Sequence, residues 1–215
     1  MHDKSGTLVV SDDVDAFARD GVVCIRGLHD AAWIERMIGA IDRVEHNPDS
    51  SGMFFSEKFM WTFDPDFRAF IFDSPAAGVA GRLMGTTKIN VFYDHLMVKE
   101  PGADSPTPWH QDLPYWPIQG RQFASMWINL DPLPKEECLE FVRGSHLNTV
   151  YDGFLPTVVN DDMRHPYFGG EMPQLPDIES ERAKWDIVSW TIEPGDVVLL
   201  HPGVLHGGGP TGDNS

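Results

Sequence analysis

The chain changes texture at Thr87, and no other feature limits its possible folds as much. Before that point apolar residues recur at helical spacing. After it, short apolar runs alternate with turn residues. "SDDVDAFARDG" starts with a Ser/Asp cap, places Val14, Phe17 and Ala18 on one helical face, and stops at Gly21. "VVCIRG" reads as a short strand. "HDAAWIERMIGAIDRVEH" predicts a helix with Trp33, Ile34, Met37, Ile38 and Ile41 on its buried face. "NPDSSGMFFSEK" reads as a turn-rich loop. "DPDFRAFIFDSPAAGVAGRLMG" reads as two short helices broken at Ser74-Pro75 and ended at Gly85.

Beyond Thr87, "KINVFYDHLMVKEPG", "FASMWINLDP", "CLEFVRGSH" and "DIVSWTIEPGDVVLLHPGVLHGGGP" are strand candidates, while residues 150 to 185 are irregular. With 17 prolines and 20 glycines to supply turns, a β-rich body is favoured over a helical bundle. The expected architecture is mainly β with flanking helices: a barrel or sandwich carrying an N-terminal helical layer.

One stretch of the β body, "TPWHQDLPYWP", sets a histidine and an aspartate two positions apart. On an extended strand such residues share a face, so His110 and Asp112 can aim at one point. Two imidazoles and a carboxylate on one face are a suitable ligand set for Fe(II). The spacing alone is weak, since about one HxD is expected by chance in a chain with nine histidines. Its setting adds weight: Trp109, Leu113, Pro114, Tyr115, Trp116 and Pro117 surround it, and polar groups buried among such residues need partners. A third ligand must come from a distant strand. His201 and His206 are the late candidates, and their odd offset puts them on opposite faces of any continuous strand. His206 precedes Gly207-Gly208-Gly209, where backbone or a ligand can approach closely. His201 follows "VVLL" and also reads as a core histidine. His95 lies on a strand running toward the motif.

A formal charge of −17 works against nucleic acid and anionic membrane surfaces, and does not exclude an anionic small molecule. Cys24 and Cys138 sit in apolar strand contexts without a CxxC, as buried free thiols of a reducing compartment do. With no long apolar run, no membrane span and a cytoplasmic location are expected.

Taken together, "FARDGVVCIRGL", "DHLMVKEPG", "WHQDLPYWP", "CLEFVRGSH" and "GDVVLLHPGVLHGGGP" resemble, in order, the phytanoyl-CoA dioxygenase family of Fe(II)/2-oxoglutarate-dependent oxygenases. The resemblance implies a double-stranded β-helix (jelly-roll, cupin-like) core with helices packed outside it. It implies iron ligands at His110, Asp112 and His206, with His201 not a ligand. It places 2-oxoglutarate contacts at Trp127 and Leu96, with Gln111 in reach of the co-substrate and Lys58 as a further candidate. Tyr115, Trp116 and His95 would line the substrate side. The implied reaction uses O2 and decarboxylates 2-oxoglutarate to succinate while hydroxylating a small-molecule C–H. Asp112 favours hydroxylation, because halogenating relatives lack this carboxylate. A metal-binding jelly roll without catalysis, or a 2-oxoglutarate-independent metalloenzyme, would use the same triad. Residues 1–215 are expected to form one oxygenase domain. The family's 2-oxoglutarate-binding arginine follows the last histidine by roughly ten to twelve residues. The chain's last residue is Ser215, so that arginine and the last core strand are expected beyond it.

Overall fold

The computed structural model describes residues 9–45, 54–99, 106–118, 120–153 and 171–208. Helix α1 (Ser11–Asp20) begins one residue before its expected cap. The Asp13 carboxylate accepts from the Val10 backbone N–H at 2.9 Å, so a side chain inside the first turn caps the helix. Gly21 ends it with φ +75°. The chain then enters strand β1 (Val22–Ile25) and helix α2 (Ala31–Glu45). The buried stripe of α2 is Ile34, Met37, Ala40 and Val44. Ile38, expected on that stripe, is 43% exposed, because a 3.6-residue repeat rotates it off the face that Ala40 occupies.

Strand β2 (Phe54–Lys58) forms within the stretch read as a loop, because it pairs antiparallel with β3 (His95–Lys99). Only that distant partner makes it a strand. Helix α3 (Pro65–Asp73) starts where the Asp64 carboxylate accepts from the Asp66 and Phe67 N–H groups, and α4 (Ala76–Leu83) follows the break at Ser74-Pro75. The remaining strands are β4 (Ser125–Ile128), β5 (Leu139–Val142), β6 (Ile187–Val188), β7 (Val197–Leu200) and β8 (His206–Gly208). Among the described residues, no helix is long and apolar enough to cross a membrane.

Two three-stranded antiparallel sheets face each other: β1-β7-β4 and β6-β5-β8. Alternation along the first sheet sorts its side chains into two layers. Val23, Ile25, Val197 and Leu199 pack outward on Phe17 of α1 and on Val79, Ala80 and Leu83 of α4. Val22, Val198 and Leu200 point inward and meet Phe141 and Cys138 from the side of the second sheet. Trp127 and Cys24 pack against this inner layer. The second sheet's outer face is covered by Ile178, Leu175 and Trp185. The core therefore lies between two sheets, with the N-terminal helices layered on one of them. Both cysteines are free, and burial pushes each thiol up to about 11.

Candidate metal centre

His206 opens β8 opposite Phe141 of β5, and on its other side it bridges to His110. The His110 N–H donates to the His206 carbonyl at 2.9 Å, and the His206 N–H donates back at 2.9 Å. Phe141, His206 and His110 thus form one row across neighbouring strands. The two imidazoles lie 4.2 Å apart, centroid to centroid, and the Phe141 ring stacks on the far side of His206 at 6.1 Å.

Asp112 reaches the same point by a different route from the one strand alternation suggests. Its backbone is helical (φ −76°, ψ −30°) and leads into the 3-10 turn Leu113–Tyr115. The Leu113 N–H donates to the Pro202 carbonyl at 3.0 Å, which fixes where that turn begins. The Asp112 Oδ1 then lies 3.6 Å from His110 Nε2 and 3.8 Å from His206 Nε2. One ligand atom from each of the three residues falls within 4.8 Å of the others. Donors at adjacent positions around one ion, bound at about 2.1 Å, stand about 3 Å apart. A small rotamer adjustment closes that gap.

Both imidazoles are held in the tautomer a metal needs. His110 Nδ1 lies 2.7 Å from the Pro108 carbonyl, and His206 Nδ1 lies 3.0 Å from the Val204 carbonyl. A carbonyl only accepts, so each Nδ1 carries the proton and each Nε2 lone pair points at the shared site. Burial, aided by His110 and opposed by Asp112, pushes His206 down to about 4, so it is neutral near pH 7. Burial alone would raise the Asp112 carboxyl. Pairing with His110 and His206 in their doubly protonated forms, and a hydrogen bond with Ser125, outweigh it and hold the group below its ordinary value. An ionised carboxylate beside imidazole Nε2 lone pairs is the arrangement that binds a cation. The donor set fits a divalent transition metal such as iron, with one face left to other ligands.

The remaining expected residues separate by position. Trp127 stands two residues beyond Ser125 on β4, on the strand face that carries Ser125 toward Asp112. His95 lies close enough for the Asp112 charge to act on it, and its Nε2 is 2.8 Å from Ser56 Oγ; burial, then Lys58, lowers its pKa. Lys58 pairs with His95 across the β2–β3 ribbon. Trp116 packs edge-on to Tyr93 at 5.9 Å. Tyr115 packs instead on Gly153, where an added Cβ would sit 2.7 Å from its Cζ.

Two residues depart from expectation. Leu96, neighbour to His95, takes the opposite face of the ribbon and packs on Met37, Ala40, Met60 and Phe67 rather than toward the triad. Gln111, 2% exposed, has its amide engaged elsewhere. Its Nε2 donates to the Gly203 carbonyl at 2.7 Å and the Thr149 carbonyl at 3.2 Å, and its Oε1 accepts from the Tyr151 N–H at 2.9 Å. His201 directly follows β7, away from the triad, and packs beside His146 at 5.3 Å. Gly207 admits the Trp109 ring and the Thr107 carbonyl, so the close approach there is made by the chain itself; Gly209 lies outside the described residues. Sequence reasoning missed Ser125, although the parity it shares with Trp127 was a usable signal. It also missed Tyr93, for which the sequence offers none.

Known proteins resemble this chain to different extents. Residues of this chain are 27% identical over 134 positions to the probable phytanoyl-CoA dioxygenase of Caenorhabditis elegans, covering 59% of this chain and 40% of that protein. The chain therefore spans well under half the length of that curated relative. The non-heme alpha ketoglutarate dependent carbocyclase SnoK, from nogalamycin biosynthesis, superposes with a TM-score of 0.76 at 21% identity, over 96% of this chain and 80% of that one. The epimerase SnoN, solved in complex with Fe3+, alpha ketoglutarate and nogalamycin RO, superposes with a TM-score of 0.70 at 21% identity, over 95% of this chain and 77% of that one. The family model for phytanoyl-CoA dioxygenase (PhyH) matches residues 17–214, and the chain belongs to that family.

Proposed function

We propose that this chain is an Fe(II)/2-oxoglutarate-dependent dioxygenase that hydroxylates a C–H bond of a small molecule on a double-stranded β-helix core. The observation that carries the reading is the convergence of two Nε2 lone pairs and one carboxylate, with both Nδ1 protons tied to backbone carbonyls. SnoN, which has this fold, is solved with Fe3+ and alpha ketoglutarate. SnoK is a carbocyclase and SnoN an epimerase, so the fold alone does not choose the reaction. Asp112 favours hydroxylation, since it fills the position that a halide would need.

In this reading His110, Asp112 and His206 hold the metal. Iron bound there, with 2-oxoglutarate and O2, would supply the oxidising chemistry and release succinate. The chain's own work is positional. The Pro108 and Val204 carbonyls fix the imidazole tautomers, and Ser125 orients the Asp112 carboxylate. Phe141 stacks on the His206 ring. Trp127, on the Ser125 face of β4, would bound the co-substrate, while Trp116 and His95 would bound the substrate. A charge of −17 suits a small-molecule partner better than nucleic acid.

Anaerobic titration of the full-length protein with Fe(II) and then 2-oxoglutarate tests this. A weak visible charge-transfer band should develop in wild type and be lost in Asp112→Ala. No band in wild type overturns the reading. Metal binding without the band would indicate a metal-binding protein on the same triad.

A further inference from the structure

Five aromatic rings meet beside the triad: Phe59, Phe92, Tyr93, Trp116 and Phe123. Tyr93 is the hub. It packs on Phe92 at 5.2 Å and 87°, on Trp116 at 5.9 Å and 89°, and on Phe59 at 5.9 Å. Trp116 also meets Phe92 at 5.7 Å and Phe123 at 5.7 Å. The group adjoins the triad in two ways. Trp116 closes the turn that Asp112 begins, with its N–H donating to the Leu113 carbonyl at 3.2 Å. Tyr93 lies within the field of the Asp112 carboxylate and hydrogen-bonds Trp116.

Two members are only about half covered by protein. Phe92 is 43% exposed and Phe59 49% exposed, although each is large and apolar. Phe59 is also the one non-glycine with positive φ among the described residues, at φ 61°. A bulky side chain in that conformation costs free energy, and a conformation of this kind is concentrated at functional sites. The strained backbone holds the Phe59 ring against Tyr93 rather than in the body of the protein.

We propose that these rings form the substrate wall of the site, and that the substrate presents a flat, uncharged, ring-bearing face to it. This rests on the oxygenase reading above and names the substrate class for that same site. Tyr93 packs directly on three of the rings at 5.2–5.9 Å, so the group stacks on itself as a wall rather than parting into a cage around a cation. A ligand must lie across the exposed Phe92 and Phe59 rings, where a planar apolar face gains most contact. The chain's charge of −17 works against a polyanionic substrate.

The test uses full-length protein loaded with Mn(II) and 2-oxoglutarate, titrated with 2-naphthol, 1-decanol and choline by calorimetry. Naphthol should bind most tightly, and its Kd should rise about tenfold in Phe92→Ala and in Tyr93→Leu. Tyr93→Phe should retain it within about threefold. Decanol affinity should change less than threefold in every variant. Unchanged naphthol affinity in Phe92→Ala, equal loss of decanol, or tighter binding of choline than of naphthol overturns the proposal. Phe92 is exposed enough for its truncation to leave folding intact, and circular dichroism checks this. The Fe(II)/2-oxoglutarate band separates the two readings. A band with wall-independent naphthol affinity removes the wall alone. A missing wild-type band removes the oxygenase, while the naphthol titration still reads the wall.

Discussion

Replacing Gln111 by methionine should loosen the centre without touching a ligand. Methionine keeps the volume of the buried side chain but none of its polar atoms, so little cavity or overpacking enters the comparison. Three hydrogen bonds are lost, to the Gly203 carbonyl, the Thr149 carbonyl and the Tyr151 N–H. Each contributes about 1 kcal/mol net, and the Gly203 carbonyl is left in a buried setting at a further cost of about 1–3 kcal/mol. The expected destabilisation is about 4–6 kcal/mol. For a chain of this length that lowers Tm by roughly 8–24 °C. The same amide ties the His110–Asp112 segment to the turn three residues before His206. Mn(II) affinity at pH 7 should therefore fall about tenfold, as loss of a group supporting metal ligands commonly does. Gln111→Glu should be worse than Gln111→Met, because its carboxylate would face two carbonyl oxygens. Thermal denaturation and Mn(II) titration of both variants measure this. A Tm within 2 °C of wild type in Gln111→Met, or Gln111→Glu as stable as wild type, refutes the reasoning.

Three further outcomes are expected. Stability should fall as pH drops from about 6.5 to about 4, because burial pushes both His29 and His201 down to about 4 while unfolded histidine takes up its proton near 6.5. Each contributes up to about 3 kcal/mol to that loss, so urea midpoints at pH 7 and pH 4.5 should differ, and His29→Phe should reduce the difference. Cys24 and Cys138, with thiols raised to about 11, should resist Ellman's reagent at pH 8 until urea unfolds the protein; rapid reaction of either in the native state contradicts their burial. Gly21→Ala should cost about 2–4 kcal/mol by thermal denaturation, since φ is +75° and a Cβ would lie 2.3 Å from His146 Nδ1.

The helical layer and the pairing of His110 with Asp112 are legible in the sequence for local reasons. Helix caps and stops such as Gly21 and Asp64 act within a few residues, and HxD is a contiguous motif. The rest depended on partners far along the chain. β2 is a strand only because β3 pairs with it, and the turn-rich residues before it pointed the other way. The parity test between His201 and His206 could not decide, because the two do not share a strand: the first follows β7 of one sheet and the second opens β8 of the other. Parity does separate Leu96 from His95, but which face is inward is set by α2 and α3, which cover Leu96. Tyr93 sits in a stretch without regular structure, so no periodicity could mark it.

The register between residues 110 and 206 decides whether there is a centre at all, and Gly207 helps to fix it. Slipping that pair by one residue turns His206 to the outer face of the sheet and dissolves the triad. In the observed register Gly207 lies under Trp109, where a Cβ would be 2.9 Å from the Trp109 Cδ2 and 3.1 Å from the Thr107 carbonyl. Trp109 cannot easily withdraw, because its Nε1 donates to Glu179 at 3.2 Å and its ring packs against Val142 and Leu205. Gly207→Ala should therefore separate the two strands, at a cost of about 1–3 kcal/mol, and weaken Mn(II) binding at least tenfold. Gly208→Ala is the comparison: its nearest obstacle, at 2.9 Å, is the Leu139 Cδ2, the far end of a flexible side chain. That variant should lose less than half as much stability and keep Mn(II) affinity within about threefold. Equal effects from both substitutions would mean that His110 and His206 are held in register by the triad and its metal, and not by the strands beneath them.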